Sequence, residues 1–186
     1  MSSDRAPRLP ADTKRRLLEA AEALARRLGP GNLSLDAVAA EAGVSKGGLL
    51  YHFPSKAKLL EALVEHHLSK LDAILRAEEA TGRPNAAITA YLNQFLQDSE
   101  RQKAPASGLL AAVAENPQLL EPVRRRERDF LARIRADATD QDFATVAFLV
   151  IHALRAMKML GTEVLEDTEA RALINWLGRE LRDRTT

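Results

Sequence analysis

The 186-residue sequence predicts an all-α protein of about nine helices, a three-helix N-terminal head followed by a larger helical body. Three observations predict it. Apolar residues recur every three or four positions, the period that gathers them on one side of a helix. The chain is 46% hydrophobic but only 4% aromatic, and rich in Ala, Leu, Arg and Glu. Ser, Asn, Gly and Pro fall between the periodic segments, where helices start and stop. A chain of this length holds one or two small domains and buries roughly 70% of its extended surface.

Residues 1–11 are polar with two prolines and read as a flexible arm. A helix follows over residues 13–28, with Leu17, Ala21, Leu24 and Leu28 as its buried stripe. Lys14, Arg15 and Arg16 stand at its start, where the helix dipole disfavours cations and a phosphate would reverse the misfit. Gly29-Pro30-Gly31-Asn32 turns the chain.

Residues 33–60 organise the rest. Ser34 is an N-cap, and Leu35, Val38, Ala39 and Ala42 give the next helix its apolar side. Gly43 stands where a left-handed residue closes a helix cheaply. Val44 can plug the turn. Ser45 caps a second short helix from Lys46 to about Phe53, in which Leu49, Leu50 and Phe53 can face inward. Pro54 stops it and Ser55 caps the next. Helix, glycine turn and short helix make a helix-turn-helix, whose second helix enters a DNA major groove.

The surface of that second helix is unusual: Lys46, Gly47, Gly48, Tyr51 and His52 face outward, with Lys56 and Lys58 just beyond. Between Asp36 and Glu61 the only acid is Glu41, on the preceding helix. Two glycines in a first turn cost roughly 1 kcal/mol each relative to alanine. Packing alone does not favour them; close approach of a phosphate or a base does. The bland alternative is a weakly formed surface helix with a solvated lysine.

Ala39, Gly43, Val44 and Leu49, together with the run SKGGLLYHFPSKAKLLEAL from Ser45 to Leu63, resemble the DNA-binding domain of the TetR family of bacterial transcriptional regulators. The resemblance is strong over residues 12–67 and is one of architecture beyond. It implies a helix-turn-helix domain over residues 12–55, a connecting helix over 56–80, and a ligand-binding and dimerisation domain over 81–186. It also implies a homodimeric repressor that reads a palindromic operator in double-stranded DNA and lets go when a small-molecule effector fills the C-terminal domain. The residues expected at DNA are Ser34, Ser45, Lys46, Gly47, Gly48, Tyr51, His52 and Lys56. Two such helices in a dimer would lie about one DNA turn, roughly 34–36 Å, apart or somewhat more. A helical adaptor that anchors a protein partner on DNA is the alternative.

The connecting helix carries Leu59, Leu60, Leu63, Val64, Leu68, Leu71 and Leu75. His66 and His67 on it point about 100° apart and cannot chelate one metal together. Beyond the break at Thr81-Gly82-Arg83-Pro84, Ile88, Leu92, Phe95 and Leu96 mark a helix over 85–100. Residues 105–115 are short and rich in small residues. The run Arg124-Arg125-Arg126-Glu127-Arg128 alternates with Val123, Phe130, Leu131 and Ile134, the wet side of an amphipathic helix. Residues 142–161 form the most apolar segment and predict burial on most sides; Arg155 and Lys158 exclude a membrane span. A last helix over 168–182 carries Leu173, Ile174, Leu177 and Leu181, with Trp176 beside them.

Two such apolar helices in a lone chain would leave apolar surface bare, and pairing with a second copy would cover it. Phe143, Val146, Val150, Leu154, Leu173, Trp176 and Leu177 are the candidates for that interface. Phe95, Phe130, Phe148, His152 and Met159 are candidates for lining an apolar ligand cavity, or equally an ordinary core.

Charge supports the DNA reading only through its distribution. Residues 1–58 hold ten Lys or Arg against six acids, while the rest hold seventeen against twenty, for a total of +1. Cysteine is absent, which removes disulfides and thiolate metal sites. No zinc-hydrolase helix, phosphate-cradling loop or nucleophile elbow occurs, so an enzyme, a cofactor and a metal are not expected. The first residues hold no signal-like apolar run, and a cytoplasmic location without membrane partners is the expectation.

Overall fold

The computed structural model describes residues 10–28, 33–100 and 120–184. Among the described residues lie eight helices and no strand: α1 Pro10–Leu28, α2 Leu35–Ala42, α3 Lys46–His52, α4 Lys56–Glu79, α5 Ala86–Glu100, α6 Leu120–Asp137, α7 Gln141–Leu160 and α8 Asp167–Asp183. The turn expected at 29–32, the short segment at 105–115 and the first nine residues of the arm fall outside the described residues. α1 starts at Pro10, earlier than expected, because proline is tolerated where the first amide needs no helical partner.

The described residues fall into two compact units, the first ending at His66 and the second starting at His67, with α4 contributing to both. The first unit is the helix-turn-helix. Leu17, Ala21, Leu24 and Ala25 of α1 are buried together with Leu33, Val38, Ala39 and Ala42, which close a small apolar core with α2. The Ser34 hydroxyl oxygen accepts from the Ala37 amide at 3.2 Å. Gly43 takes φ +63°, and the Val44 amide donates back to the Ala39 carbonyl at 3.0 Å, closing α2 in a left-handed cap. The Ser45 hydroxyl oxygen then accepts from the Gly48 amide at 3.1 Å and starts α3.

Leu49 is fully buried and Phe53 nearly so, but Leu50, expected to face inward, is 37% exposed. The reason is geometric. Positions 49 and 53 share one face of a helix, and position 50 is rotated about 100° away. In a seven-residue helix no second inward face exists.

In the second unit the core is built from Leu68, Leu71 and Leu75 of α4, the Ile88–Tyr91–Leu92–Phe95 stripe of α5, Phe130 and Ile134 of α6, Ala147, Phe148 and Ile151 of α7, and Ile174, Leu177 and Leu181 of α8. A buried asparagine ties three of these helices at one end. Asn85, at φ +59°, donates its side-chain amide to the Thr139 hydroxyl at 3.0 Å and to the Leu181 carbonyl at 3.3 Å. Its side-chain oxygen accepts from the Thr139 amide at 3.0 Å. A second tie joins α4 to α6: Arg133 holds both oxygens of Glu79, at 2.9 and 2.6 Å, and also meets Asp72.

α7 departs from expectation. It is apolar nearly all round, yet Val146 and Leu149 are 53% and 56% exposed, and Leu160 is 62% exposed. The other helices of the unit cover one side of α7 only, through Ala144, Ala147, Phe148 and Ile151. No described helix is long and apolar enough to cross a membrane.

Candidate functional site

α3 carries five of the sequence-predicted DNA residues, Lys46, Gly47, Gly48, Tyr51 and His52; Ser34 and Ser45 cap α2 and α3, and Lys56 starts α4. Tyr51 projects from it at 80% exposure, its ring edge-on to His52 with centroids 5.1 Å apart. Lys46 and Gly47 are exposed, and Gly48 and His52 are half-buried. A Cβ added to Gly47 would meet nothing within 4 Å, so no packing inside the chain requires a glycine there. A Cβ at Gly48 would meet the Ser45 hydroxyl at 3.3 Å, a contact with the cap itself. Ser34 and Ser45 are exposed, and both use their oxygens as N-caps, which leaves each hydroxyl hydrogen for a further acceptor. Lys56 sits in the first turn of α4 and is half-buried.

Charge partners in this unit were not legible in the sequence. The Lys46 ammonium lies 2.9 Å from the Asp36 carboxylate, ten positions earlier on α2. Arg15 bridges Asp12 and Glu19, at 2.8 Å each, which raises its pKa. Arg16 donates to the Ala42 carbonyl at the end of α2, an orphan acceptor that a helix terminus leaves behind. Arg27 reaches Glu41 at 2.9 Å; the hydrogen bond and the opposite charge hold that carboxylate below its ordinary range. Lys58 pairs with Glu61 at 2.7 Å. Among the described cations of the head, Arg15, Arg27, Lys46 and Lys58 are thus each paired with a carboxylate of the head.

In the second unit, two of the sequence-predicted cavity residues meet. Phe148 and His152, one turn apart on α7, have ring centroids 4.3 Å apart. Between α5 and α7 sits Tyr91, fully buried, whose hydroxyl is 2.9 Å from the His152 Nε2. The same nitrogen lies 2.9 Å from Oε2 of Glu127 on α6. The Arg155 guanidinium covers the Tyr91 ring at 4.6 Å. Burial raises the Tyr91 pKa, keeping its proton in place. Tyr91, Glu127 and Arg155 were not among the expected residues. The signal for Tyr91 was present, since it stands three positions after Ile88 and four before Phe95, inside the apolar stripe.

Phe95 and Phe130 are buried core residues, and the Met159 side chain lies outside the described residues. Of the candidate interface residues, Val146 and Trp176 are exposed, at 53% and 43%. Phe143, Val150, Leu154 and Leu173 are half-buried. Leu177 is 1% exposed inside its own chain and does not lie on an outer face. Among the described residues, no group of three or more His, Asp or Glu is placed to hold a metal.

The known proteins place these two units. Residues 17–63 match the family described as bacterial regulatory proteins, tetR family, and residues 85–182, more than half of the chain, match the tetracyclin repressor-like C-terminal domain. No curated protein matches the sequence. Among solved structures, a TetR-family transcriptional regulator from Rhodococcus sp. is 19% identical with a TM-score of 0.66, over 89% of this chain and 96% of that one. A TetR-family member from Streptomyces coelicolor A3 is 21% identical with a TM-score of 0.62, over 89% and 98%. The multidrug binding protein EbrR, in complex with ethidium, is 22% identical with a TM-score of 0.59, over 89% and 98%. At these identities the structural likeness speaks for the fold, and the two family matches speak for the lineage. The chain belongs to the TetR family of bacterial transcriptional regulators, DNA-binding proteins rather than enzymes.

Proposed function

We propose that the protein is a homodimeric repressor that holds a palindromic operator through α3 and releases it when a small molecule occupies the second unit. The observation that carries the DNA half is Gly47. A residue that costs helix stability, with open space where its side chain would be, serves an approaching partner better than it serves the fold. Tyr51 and Lys56 bind phosphates and set the register of the complex, while Lys46, Gly47 and Gly48 approach base edges; Ser34, Ser45 and His52 flank them. With so few side chains at the bases, DNA shape supplies part of the specificity.

The dimer half rests on the bare apolar face of α7, Val146 and Leu149, with Trp176 of α8. A second copy of the same face is the economical cover for such a patch. The effector half rests on the Tyr91–His152–Glu127 cluster with Phe148 and Arg155, a concentration of polar and aromatic groups drawn from α5, α6 and α7. The similarly folded EbrR is a multidrug binding protein seen with ethidium. α4, common to both units, is the continuous element through which effector occupancy reaches α3. A coupling of about 1–3 kcal/mol gives a 5- to 150-fold loss of DNA affinity.

The test is a band shift on the DNA upstream of the protein's own coding region, with the parent beside Tyr51→Ala and Lys46→Ala. Both variants should bind more weakly; three equal affinities would remove α3 from the interface. A thermal-shift screen of small molecules, followed by the same band shift, tests release.

A further inference from the structure

α3 carries one lysine, Lys46, and Asp36 of α2 pairs with it at the surface. Its ammonium sits 2.9 Å from one oxygen of Asp36 and 3.2 Å from the other, a fork across the start of two successive helices. Both side chains are exposed, at 62% and 69%, so a partner that fits closely against α3 can reach the pair. Among the described residues, α3 has no other Lys, Arg, Asp or Glu. The recognition helix with its paired lysine therefore approaches DNA nearly neutral.

We infer that Asp36 is a specificity-determining residue: by holding Lys46 it suppresses sequence-independent attraction of α3 to DNA, and it yields the lysine only where close fit to the operator offers a better partner. The inference rests on the reading that α3 meets DNA. Its physical basis is that non-specific binding is almost wholly counterion release, with affinity falling as salt rises in proportion to the phosphates neutralised. A lysine already paired with a carboxylate contributes little to that release. On an arbitrary sequence the complex stays loose and Lys46 keeps Asp36. At the operator, where the open space at Gly47 allows the helix in, Lys46 exchanges a surface ion pair of small net value for a groove contact. Asp36 thus lowers affinity for all DNA and lowers it most where sequence does not matter.

The experiment measures binding of the full chain to a random-sequence duplex and to the upstream duplex across a salt series, for the parent, Asp36→Asn, Asp36→Glu, Lys46→Ala and the Asp36→Asn/Lys46→Ala double variant. Asp36→Asn should bind the random duplex several-fold tighter, with a salt slope steeper by about 1. It should gain less on the upstream duplex, so the ratio between the two falls. Asp36→Glu keeps the charge and should behave as the parent. The double variant should return to the parent's slope. Unchanged random-duplex binding by Asp36→Asn overturns the inference, as does a gain that survives removal of Lys46, which would mean simple repulsion of phosphate by Asp36. If Tyr51→Ala and Lys46→Ala leave upstream binding intact, the α3 reading itself has failed, a result distinct from an inert Asp36→Asn beside weakened α3 variants. Melting curves of each variant separate loss of the α2 fold from loss of the ion pair.

Discussion

α3 and α7 both leave much of their surface bare, and the two surfaces have opposite chemistry. α3 shows solvent a glycine, a tyrosine and a lysine with its charge answered. α7 shows valine and leucine at more than half exposure. The first helix is seven residues long and depends on the Ser45 cap and on one buried leucine, Leu49. The second is twenty residues long and is anchored by Ala144, Ala147, Phe148 and Ile151. A partner that is hydrated and charged wants polar reach and little bulk. A partner that is another apolar face wants area. The contrast teaches that exposure alone marks neither surface; what is exposed, and what it costs the fold to leave it there, does.

The largest effect expected is on α7. A Val146→Glu/Leu149→Glu double variant would bring unpaired carboxylates of both copies together in the proposed dimer contact, worth about 3 kcal/mol or more, and so at least a hundredfold weaker association. Sedimentation should show monomers with an unchanged helical spectrum; a persistent dimer would move the interface elsewhere. Tyr51→Ala comes next, at about 1.5–3 kcal/mol of DNA affinity for a lost hydrogen bond to a charged phosphate, and its exposure predicts no change in melting temperature.

Gly47→Ala sharpens the contrast because its two effects have opposite signs. The open space predicts stabilisation by up to about 1 kcal/mol from helix propensity, together with weaker DNA binding from the added methyl group. A variant that is both more stable and fully competent on DNA would leave the glycine without a functional reason. The smallest effect is on pH dependence in the second unit. Burial pushes the Asp72 carboxyl up, but hydrogen bonds and charges from Arg76 and Arg133 outweigh it, and the net pKa is lowered. A depressed carboxylate contributes stability that is complete above its unfolded pKa, about 4, and is lost as pH falls through the lower folded value. Asp72→Asn should therefore flatten part of the stability decline below pH about 4 and leave DNA affinity at neutral pH unaltered.

Much of the helix-turn-helix was legible residue by residue. Ser34, Gly43, Ser45, Pro54 and Ser55 are local instructions, each acting on amides or dihedrals within four positions, and the structure follows them. α7 is bounded by caps of the same local kind: Asp140 accepts from the Phe143 amide at 2.9 Å and Gly161 takes φ +66°. The effector cluster was only half legible. Phe148 and His152 belong to one helix and announce themselves by spacing, but Tyr91 is 61 positions away from His152, and Glu127 read as part of a solvated charge run.

By itself the sequence determined where helices begin and end and which residues point away from the first core, because propensity, capping and periodicity act over one or two turns. Only the tertiary structure decided which apolar residues of α7 stay outside, as Val146 and Leu149 do, and which charges are already answered, as Lys46 is by Asp36 and Arg133 by Glu79. Burial and ion pairing depend on what the chain brings together across ten or fifty positions, and no local rule carries that information.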